Sequence, residues 1–245
     1  GDDDEEDAAT AFGSDGGAGD GDGGRGTGPV AIAAGWRHSV AVTAEGAVFA
    51  WGCGTEGRLG LGSHADARSP RQVRALASRA VRIRQAAAGR AHTLFLSDTG
   101  TVYSCGSNEF GQQGQAECGS GSVGGGGDGD KGDGSDGKAS RSRWVLAPTA
   151  VAGRSTSALS GLRVESVAAG DDHCTVLTAA ASGGDGGDDD TGASARRRVF
   201  TWGLNTAGQC AQGRAAEVVW TPQEAELLSG ARAVGCGAGH TMVVL

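Results

Sequence analysis

The residues of this chain best suited to chemistry are its histidines. Four of the five fall in one recurring string, G-x-x-H: Gly35 to His38, Gly89 to His92, Gly170 to His173 and Gly237 to His240. An imidazole titrates near neutral pH, so it can act as a general base, a metal ligand or a pH-sensitive hydrogen-bond partner. Four copies at one place in a repeat would stand around a ring, far from one another, which argues against a shared site. The sequence therefore predicts buried imidazoles that hydrogen-bond backbone and lock a turn. Asp171-Asp172-His173 carries metal-ligand types. Adjacent residues on a strand point to opposite faces, so the three do not converge easily.

Other reactive types are scattered. The cysteines Cys53, Cys105, Cys118, Cys174, Cys210 and Cys236 include no CxxC pair, the spacing a zinc site would need. Four of them stand where a partner repeat has Trp, Ser, Thr or Ala, which suits small buried thiols of a reducing compartment better than a disulfide framework. Asp128-Gly129-Asp130-Lys131-Gly132-Asp133 suggests a calcium loop, but Gly and Asp are transposed at its fifth and sixth positions, and no acidic residue closes it. A solvated polar segment is the better reading. The strings G-x-x-x-x-G-K-[ST], G-x-S-x-G and H-E-x-x-H are absent. No catalytic residue, cofactor or metal is assigned.

The elements that position the histidines recur with them. Each of the first three G-x-x-H strings is followed by a second block: Val48-Phe49-Ala50-Trp51-Gly52, Val102-Tyr103-Ser104-Cys105-Gly106 and Val199-Phe200-Thr201-Trp202-Gly203. A third block follows: Gly57-Arg58-Leu59-Gly60, Gly111-Gln112-Gln113-Gly114 and Gly208-Gln209-Cys210-Ala211, where the last copy loses its final Gly. A proline then closes each repeat, at Pro70, Pro148 and Pro222. The first two G-x-x-H strings are 54 residues apart. Without the low-complexity stretches 115–143 and 181–195, every repeat is about 50 residues, the size of a propeller blade.

Within a repeat, Val- and Ala-rich runs such as 30–34, 39–43 and 47–51 alternate with Gly punctuation and read as short strands. Thr43-Ala44-Glu45-Gly46 and Ser97-Asp98-Thr99-Gly100 read as hairpin turns. Trp51 and Trp202 share one repeat position, which predicts core packing. Both Gly/Asp-rich stretches fall at loop positions, where extra length adds closure entropy only slowly, and their composition predicts disorder.

Charge separates the chain into two parts. Residues 1–28 hold nine acids and one base, and the remainder holds 20 of each. The first 29 residues read as an acidic Gly-rich tail, and 30–245 as the folded part. That part lacks the basic excess nucleic-acid binding uses. No stretch is long and apolar enough for a transmembrane helix, so no membrane partner is predicted. A cytoplasmic or nuclear location fits the thiols.

The ordered blocks A-G-x-x-H-[ST], V-[FY]-x-W-G, G-Q-L-G and Pro resemble the RCC1 repeats of the regulator of chromosome condensation family. The resemblance covers residues 30–245 apart from the two stretches. It implies an all-β propeller of four-stranded blades, seven in the family. This chain would supply about 3.5 of them, ending at Leu245 within the fourth repeat. It also implies a protein partner. Val199–Trp202, Gly208–Cys210, Val219-Trp220-Thr221-Pro222 and the string Val234-Gly235-Cys236-Gly237-Ala238-Gly239-His240 resemble the secretion-regulating guanine nucleotide exchange factors of this family. That implies exchange on a small Ran-like GTPase without covalent chemistry; a non-catalytic scaffold is the alternative. Gly35-Trp36-Arg37-His38-Ser39 also resembles a motif of the plant ultraviolet-B receptors, whose chromophore is a Trp cluster. The other copies here carry Arg90, Asp171 and Ala238, and one Trp makes no cluster.

Overall fold

The computed structural model describes residues 28–115, 144–151, 158–180, 196–213 and 216–245. The stretches 115–143 and 181–195 fall almost wholly outside these, as does the calcium-like string, and Gln115 is the one residue of them described. Three four-stranded antiparallel sheets follow one another along the chain, each paired in sequence order. The first holds β1 (Pro29–Ala34), β2 (His38–Thr43), β3 (Val48–Gly52) and β4 (Ala67–Gln72). The second holds β5 (Ile83–Ala88), β6 (His92–Ser97), β7 (Val102–Ser107) and β8 (Trp144–Ala150). The third holds β9 (Val164–Ala169), β10 (His173–Thr178), β11 (Val199–Leu204) and β12 (Val218–Glu224). A two-stranded sheet, β13 (Ala233–Cys236) with β14 (Thr241–Val244), ends the described chain. Pro29, read from sequence as tail, opens β1.

Successive sheets stack through their first strands, with β1 against β5, β5 against β9 and β9 against β13. The core therefore lies between sheets. Val40 and Val42 of the first sheet pack with Ile83 and Phe95 of the second. Leu94 and Leu96 of the second pack with Val164, Val167 and Val176 of the third. Leu177 and Val199 meet Ala231, Val234 and Val243. Every residue of β6 and β10 is buried. A strand covered on both faces reads as a continuous apolar run rather than an alternating one, as Leu94-Phe95-Leu96 does.

Two features of the repeat have a backbone cause. The hairpin turns close where the sequence placed them: Gly46 donates to Thr43 O at 2.9 Å with φ +82°, and Gly100 to Ser97 O at 3.1 Å with φ +90°. Each prolines' strand bulges where the proline sits. Ala50 pairs with Arg71 and Gly52 with Ala67, so three residues including Pro70 oppose Trp51 alone. Pro148 and Pro222 occupy the same bulge opposite Cys105 and Trp202. Proline has no N–H for a ladder, and a bulge on an edge strand leaves that donor unneeded.

Candidate functional site

Each G-x-x-H string forms the tight turn between the first two strands of its sheet. Gly35, Gly89, Gly170 and Gly237 each donate N–H to the carbonyl of the histidine three residues on, at 2.9 Å in every case. The imidazole folds back over the glycine. A Cβ at Gly35 would stand 2.5 Å from His38 Cε1, and Gly89, Gly170 and Gly237 are covered by their own histidines more closely still. The next turn's backbone closes the other side: the carbonyls of Gly89, Gly170 and Gly237 lie within 3.0 Å of the Cβ that Gly35, Gly89 and Gly170 lack. Only glycine fits between the ring and that carbonyl.

The histidine also sets the pairing of the second block. His38 lies opposite Gly52, His92 opposite Gly106 and His173 opposite Gly203. These three glycines have φ of +104°, +105° and +107°. A Cβ on any of them would strike the carbonyl of the residue before the histidine. The turn and the V-[FY]-x-W-G strand are thus one steric unit.

The histidine side chain leaves its own sheet. His38 Nε2 is 2.8 Å from Thr93 Oγ1, His92 Nε2 is 3.1 Å from Cys174 Sγ, and His173 Nε2 is 3.1 Å from Thr241 Oγ1. The partner is in each case the residue after the next repeat's histidine. That residue in turn donates to a carbonyl of the G-x-x-G block: Thr93 to Arg58 O at 2.7 Å, Cys174 to Gln112 O at 3.5 Å, Thr241 to Gln209 O at 2.8 Å. The same carbonyls accept from the second block of the following repeat, with Cys105 Sγ 3.5 Å from Arg58 O and Trp202 Nε1 2.8 Å from Gln112 O. Trp202 is fully buried and Trp51 half-buried, both against the cores between sheets.

This network assigns the tautomer. A hydroxyl has one hydrogen, and Thr93 spends it on Arg58 O. His38 must then donate from Nε2, leaving Nδ1 as the basic nitrogen. The Nδ1 atoms of His38, His92 and His173 are buried without a hydrogen-bond partner. Protonation there would place a charge in a closed space. Burial and the nearby Arg58 charge push His38 down to about 4; burial and the neighbouring His38 and His173 push His92 down to about 3. Burial lowers His173 as well. The rings are neutral at pH 7 and their basic nitrogens face glycine, so they serve the junctions between sheets and not a substrate.

Two sequence expectations change. The histidines are not isolated, since His92 lies within electrostatic reach of both His38 and His173. Their cross-sheet partner is a side-chain hydroxyl or thiol rather than backbone alone. His240, by contrast, is exposed. Asp172 is held by Arg90 at 2.9 Å and by Gln112 Nε2 at 3.1 Å, while Asp171 is exposed. Cys53, Cys105, Cys174, Cys210 and Cys236 are free thiols. Burial pushes Cys210 up to about 12 and raises Cys105, Cys174 and Cys236, so these four stay protonated at neutral pH.

The family model described as the regulator of chromosome condensation (RCC1) repeat matches residues 45–96, 99–177 and 198–244, and a second RCC1-repeat model matches 30–58 and 83–112.

The chain belongs to the RCC1-repeat family.

Its described part is a run of RCC1 blades, three of them four-stranded. The chain is 31% identical over 244 residues to the human E3 ubiquitin-protein ligase HERC2, covering 87% of this chain and 5% of that protein. It is 30% identical over 216 residues to the ultraviolet-B receptor UVR8 of Arabidopsis thaliana, covering 87% of this chain and 38% of that one. The solved structure of Prp20p from Saccharomyces cerevisiae superposes with a TM-score of 0.59 at 24% identity, over 86% of this chain and 42% of that one. The chain thus spans less than half the length of each of these relatives. Among the described residues no helix is long and apolar enough to cross a membrane.

What the RCC1 framework presents at its G-x-x-H end is a rim. Trp36 is 69% exposed and Arg37 is exposed beside it. Trp36 N–H is tied to Gly89 O at 3.3 Å and Arg90 N–H to Asp171 O at 3.0 Å, so the rim's backbone is fixed from sheet to sheet. His64 and Trp144 stack edge to face on the same end, with ring centroids 5.5 Å apart. Sequence reasoning singled out Trp36 but not the pair His64 and Trp144. They lie outside the repeat blocks, so no periodic signal marks them.

Proposed function

We propose that this chain is the protein-binding propeller segment of an RCC1-repeat protein that acts as a guanine-nucleotide exchange factor on a small Ran-like GTPase. The observation that carries the binding part is the rim itself. An exposed Trp and Arg on a backbone held by hydrogen bonds between sheets are the residue types, and the rigidity, of an interface anchor. Prp20p, which shares this fold, is described by its binding to Gsp1p and histones. The resemblance of residues 199–240 to exchange factors supports the GTPase reading.

Exchange needs no proton transfer from the protein, which suits a site whose histidines are neutral and enclosed. A factor that binds the empty GTPase better than the loaded one weakens nucleotide binding by the same factor, because linkage is reciprocal. The test is a pull-down of Ran-like GTPases with a chelator present, followed by magnesium and GDP. Capture that is released by nucleotide supports exchange. Capture indifferent to nucleotide makes the protein a scaffold. Alanine at Trp36 should weaken capture on either reading.

The 30% identity to the ultraviolet-B receptor does not extend to a Trp cluster. The positions equivalent to Trp36 are Arg90, Asp171 and Ala238, and Arg90 is committed to Asp172.

A further inference from the structure

The opposite end of the blades has a different surface. The first paired residues of the three inner strands are Pro29 with Thr43, Ile83 with Ser97 and Val164 with Thr178. The residue just before each therefore holds one equivalent place in three successive blades: Gly28, Arg82 and Arg163. Arg84, two residues along β5, reaches across to donate to Glu165 O at 2.6 Å and Val164 O at 3.2 Å. This brings it beside Arg163. Arg82 donates to Ala44 O at 3.4 Å and Arg163 to Asp98 O at 3.5 Å.

All three arginines are exposed, and their hydrogen-bond partners are backbone carbonyls. None of them pairs with a carboxylate among the described residues. Glu165 is within this group but is bound by Arg197 at 3.0 Å. Arg198 and Glu224 likewise neutralise each other. Three guanidinium charges are left facing solvent around the inner strands, and adjacent packed sheets are about 10 Å apart. A guanidinium already engaged on a carbonyl still has N–H groups free for an anion.

We infer that this arginine end is a docking surface for an acidic polypeptide, and that its occupant is the acidic segment of the same chain, Asp2–Asp7. Two observations select that occupant. The first is where the chain enters: Gly28 stands in the first blade where the next two blades carry Arg82 and Arg163, so residues 1–27 join the fold at the arginine end itself, as the stretch 181–195 with its four acids does after Ala179. The second is charge. Asp2, Asp3, Asp4, Glu5, Glu6 and Asp7 are six consecutive acids, separated from Gly28 by a Gly-rich connection of 20 residues. A Gly-rich chain of that length has an r.m.s. reach on the order of 25 Å, enough to return across two blades. Tethering sets an effective concentration on the order of millimolar, so individually weak Arg–carboxylate contacts suffice. Two exposed acids, Glu45 and Asp98, also stand in the hairpin turns at this end, and the overall neutrality of residues 29–245 conceals its arginines because the stretches 115–143 and 181–195 hold nine acids against four bases.

The test uses the full chain and a labelled hexaglutamate peptide as probe. In the parent protein the surface is occupied, and the probe should bind weakly. Neutralising the segment (D2N, D3N, D4N, E5Q, E6Q, D7N) should strengthen probe binding at least tenfold. Adding R82Q, R84Q and R163Q should remove that gain, and R82K, R84K and R163K in their place should retain most of it. The lysine variant separates lost charge from lost folding. Raising salt to 0.5 M, where the screening length falls to about 4 Å, should abolish the difference. Equal probe binding by parent and neutralised chains overturns the inference, as does binding that survives the glutamine changes. Release obtained only by neutralising Asp185, Asp188, Asp189 and Asp190 would name a different segment as occupant and overturn it too. Preference of the neutralised chain for duplex DNA over the peptide would make the surface a nucleic-acid site instead.

Discussion

His38 Nε2 donates to Thr93 Oγ1 at 2.8 Å, and Thr93 Oγ1 donates onward to Arg58 O at 2.7 Å. One hydroxyl joins the turn of the first sheet, the second strand of the next and the G-x-x-G loop between them. The arrangement predicts a specific mutational pattern. Thr93→Val keeps shape and volume but leaves the His38 Nε2–H without its partner and Arg58 O with only the Cys105 thiol at 3.5 Å, which costs about 1–3 kcal/mol. Thr93→Ser keeps the hydroxyl and should cost under about 1 kcal/mol. Urea unfolding midpoints of the two variants check this. Equal midpoints would mean that the hydrogen bonds contribute nothing net.

The same junctions predict a pH dependence. An unfolded histidine titrates near 6.5, whereas His38 titrates at about 4 and His92 at about 3. Between these values the unfolded chain binds more protons than the folded one, so stability rises with pH. The contribution is complete above pH 6.5 and is lost as pH falls toward 4, with a slope of at most about 1.4 kcal/mol per pH unit for each histidine. Unfolding midpoints at pH 7.5, 6.0 and 5.0 test it in a window above the carboxylate range. A flat profile over that window would contradict the closed Nδ1 environment. Nitrogen chemical shifts should report the Nε2–H tautomer throughout.

Trp202 supplies both volume and a donor, and the two can be separated. Trp202→Phe retains most of the packing between the second and third sheets but removes the 2.8 Å bond to Gln112 O. Cys174 Sγ, at 3.5 Å, remains on that carbonyl, so the loss should be about 1 kcal/mol. Trp202→Ala also opens a cavity in a fully buried site and should cost about 3–5 kcal/mol. A thermal shift for the Phe variant as large as for the Ala variant would reverse the assignment of volume as the main term.

The blades were legible in the sequence because their constraints are steric and therefore repeat. Gly35 and Gly52 admit no side chain, and Pro70 admits no ladder bond, so each recurs in register. The partner of His38 was harder to read. Every G-x-x-H is followed by Ser, Thr or Cys, which is a signal for a small donor, but the strand alternation that turns it toward the preceding sheet appears only once the sheets are stacked. Trp144 and His64 gave no periodic signal at all. The arginine end was hidden for another reason: net charge sums over both ends of the blades, and only the strand register assigns Arg82 and Arg163 to one of them.

Ala211 is the residue where the repeat departs from its own rule. The corresponding Gly60 and Gly114 have φ of +69° and +63°, and Ala211 adopts φ +52° in the same turn. The left-handed region costs a residue with a Cβ about 1–2 kcal/mol relative to its right-handed conformation, and glycine escapes most of that cost. The three sites differ in their surroundings. A Cβ at Gly114 would lie 2.8 Å from Val151 Cγ1 and 3.1 Å from Trp202 Nε1. Ala211 is exposed, so its methyl meets backbone strain without crowding. Ala211→Gly should therefore stabilise the fold, by about 0.5–1 kcal/mol after the added freedom of the unfolded glycine is subtracted. Gly114→Ala should destabilise it by more than about 2 kcal/mol, since strain and contact act together. Calorimetric midpoints for both variants, measured at pH 7.5 to keep the histidines neutral, test the pair. If Ala211→Gly lowers the midpoint, the strain at this turn is compensated by a contact of the methyl, and the left-handed glycine is not what the third block of the repeat encodes.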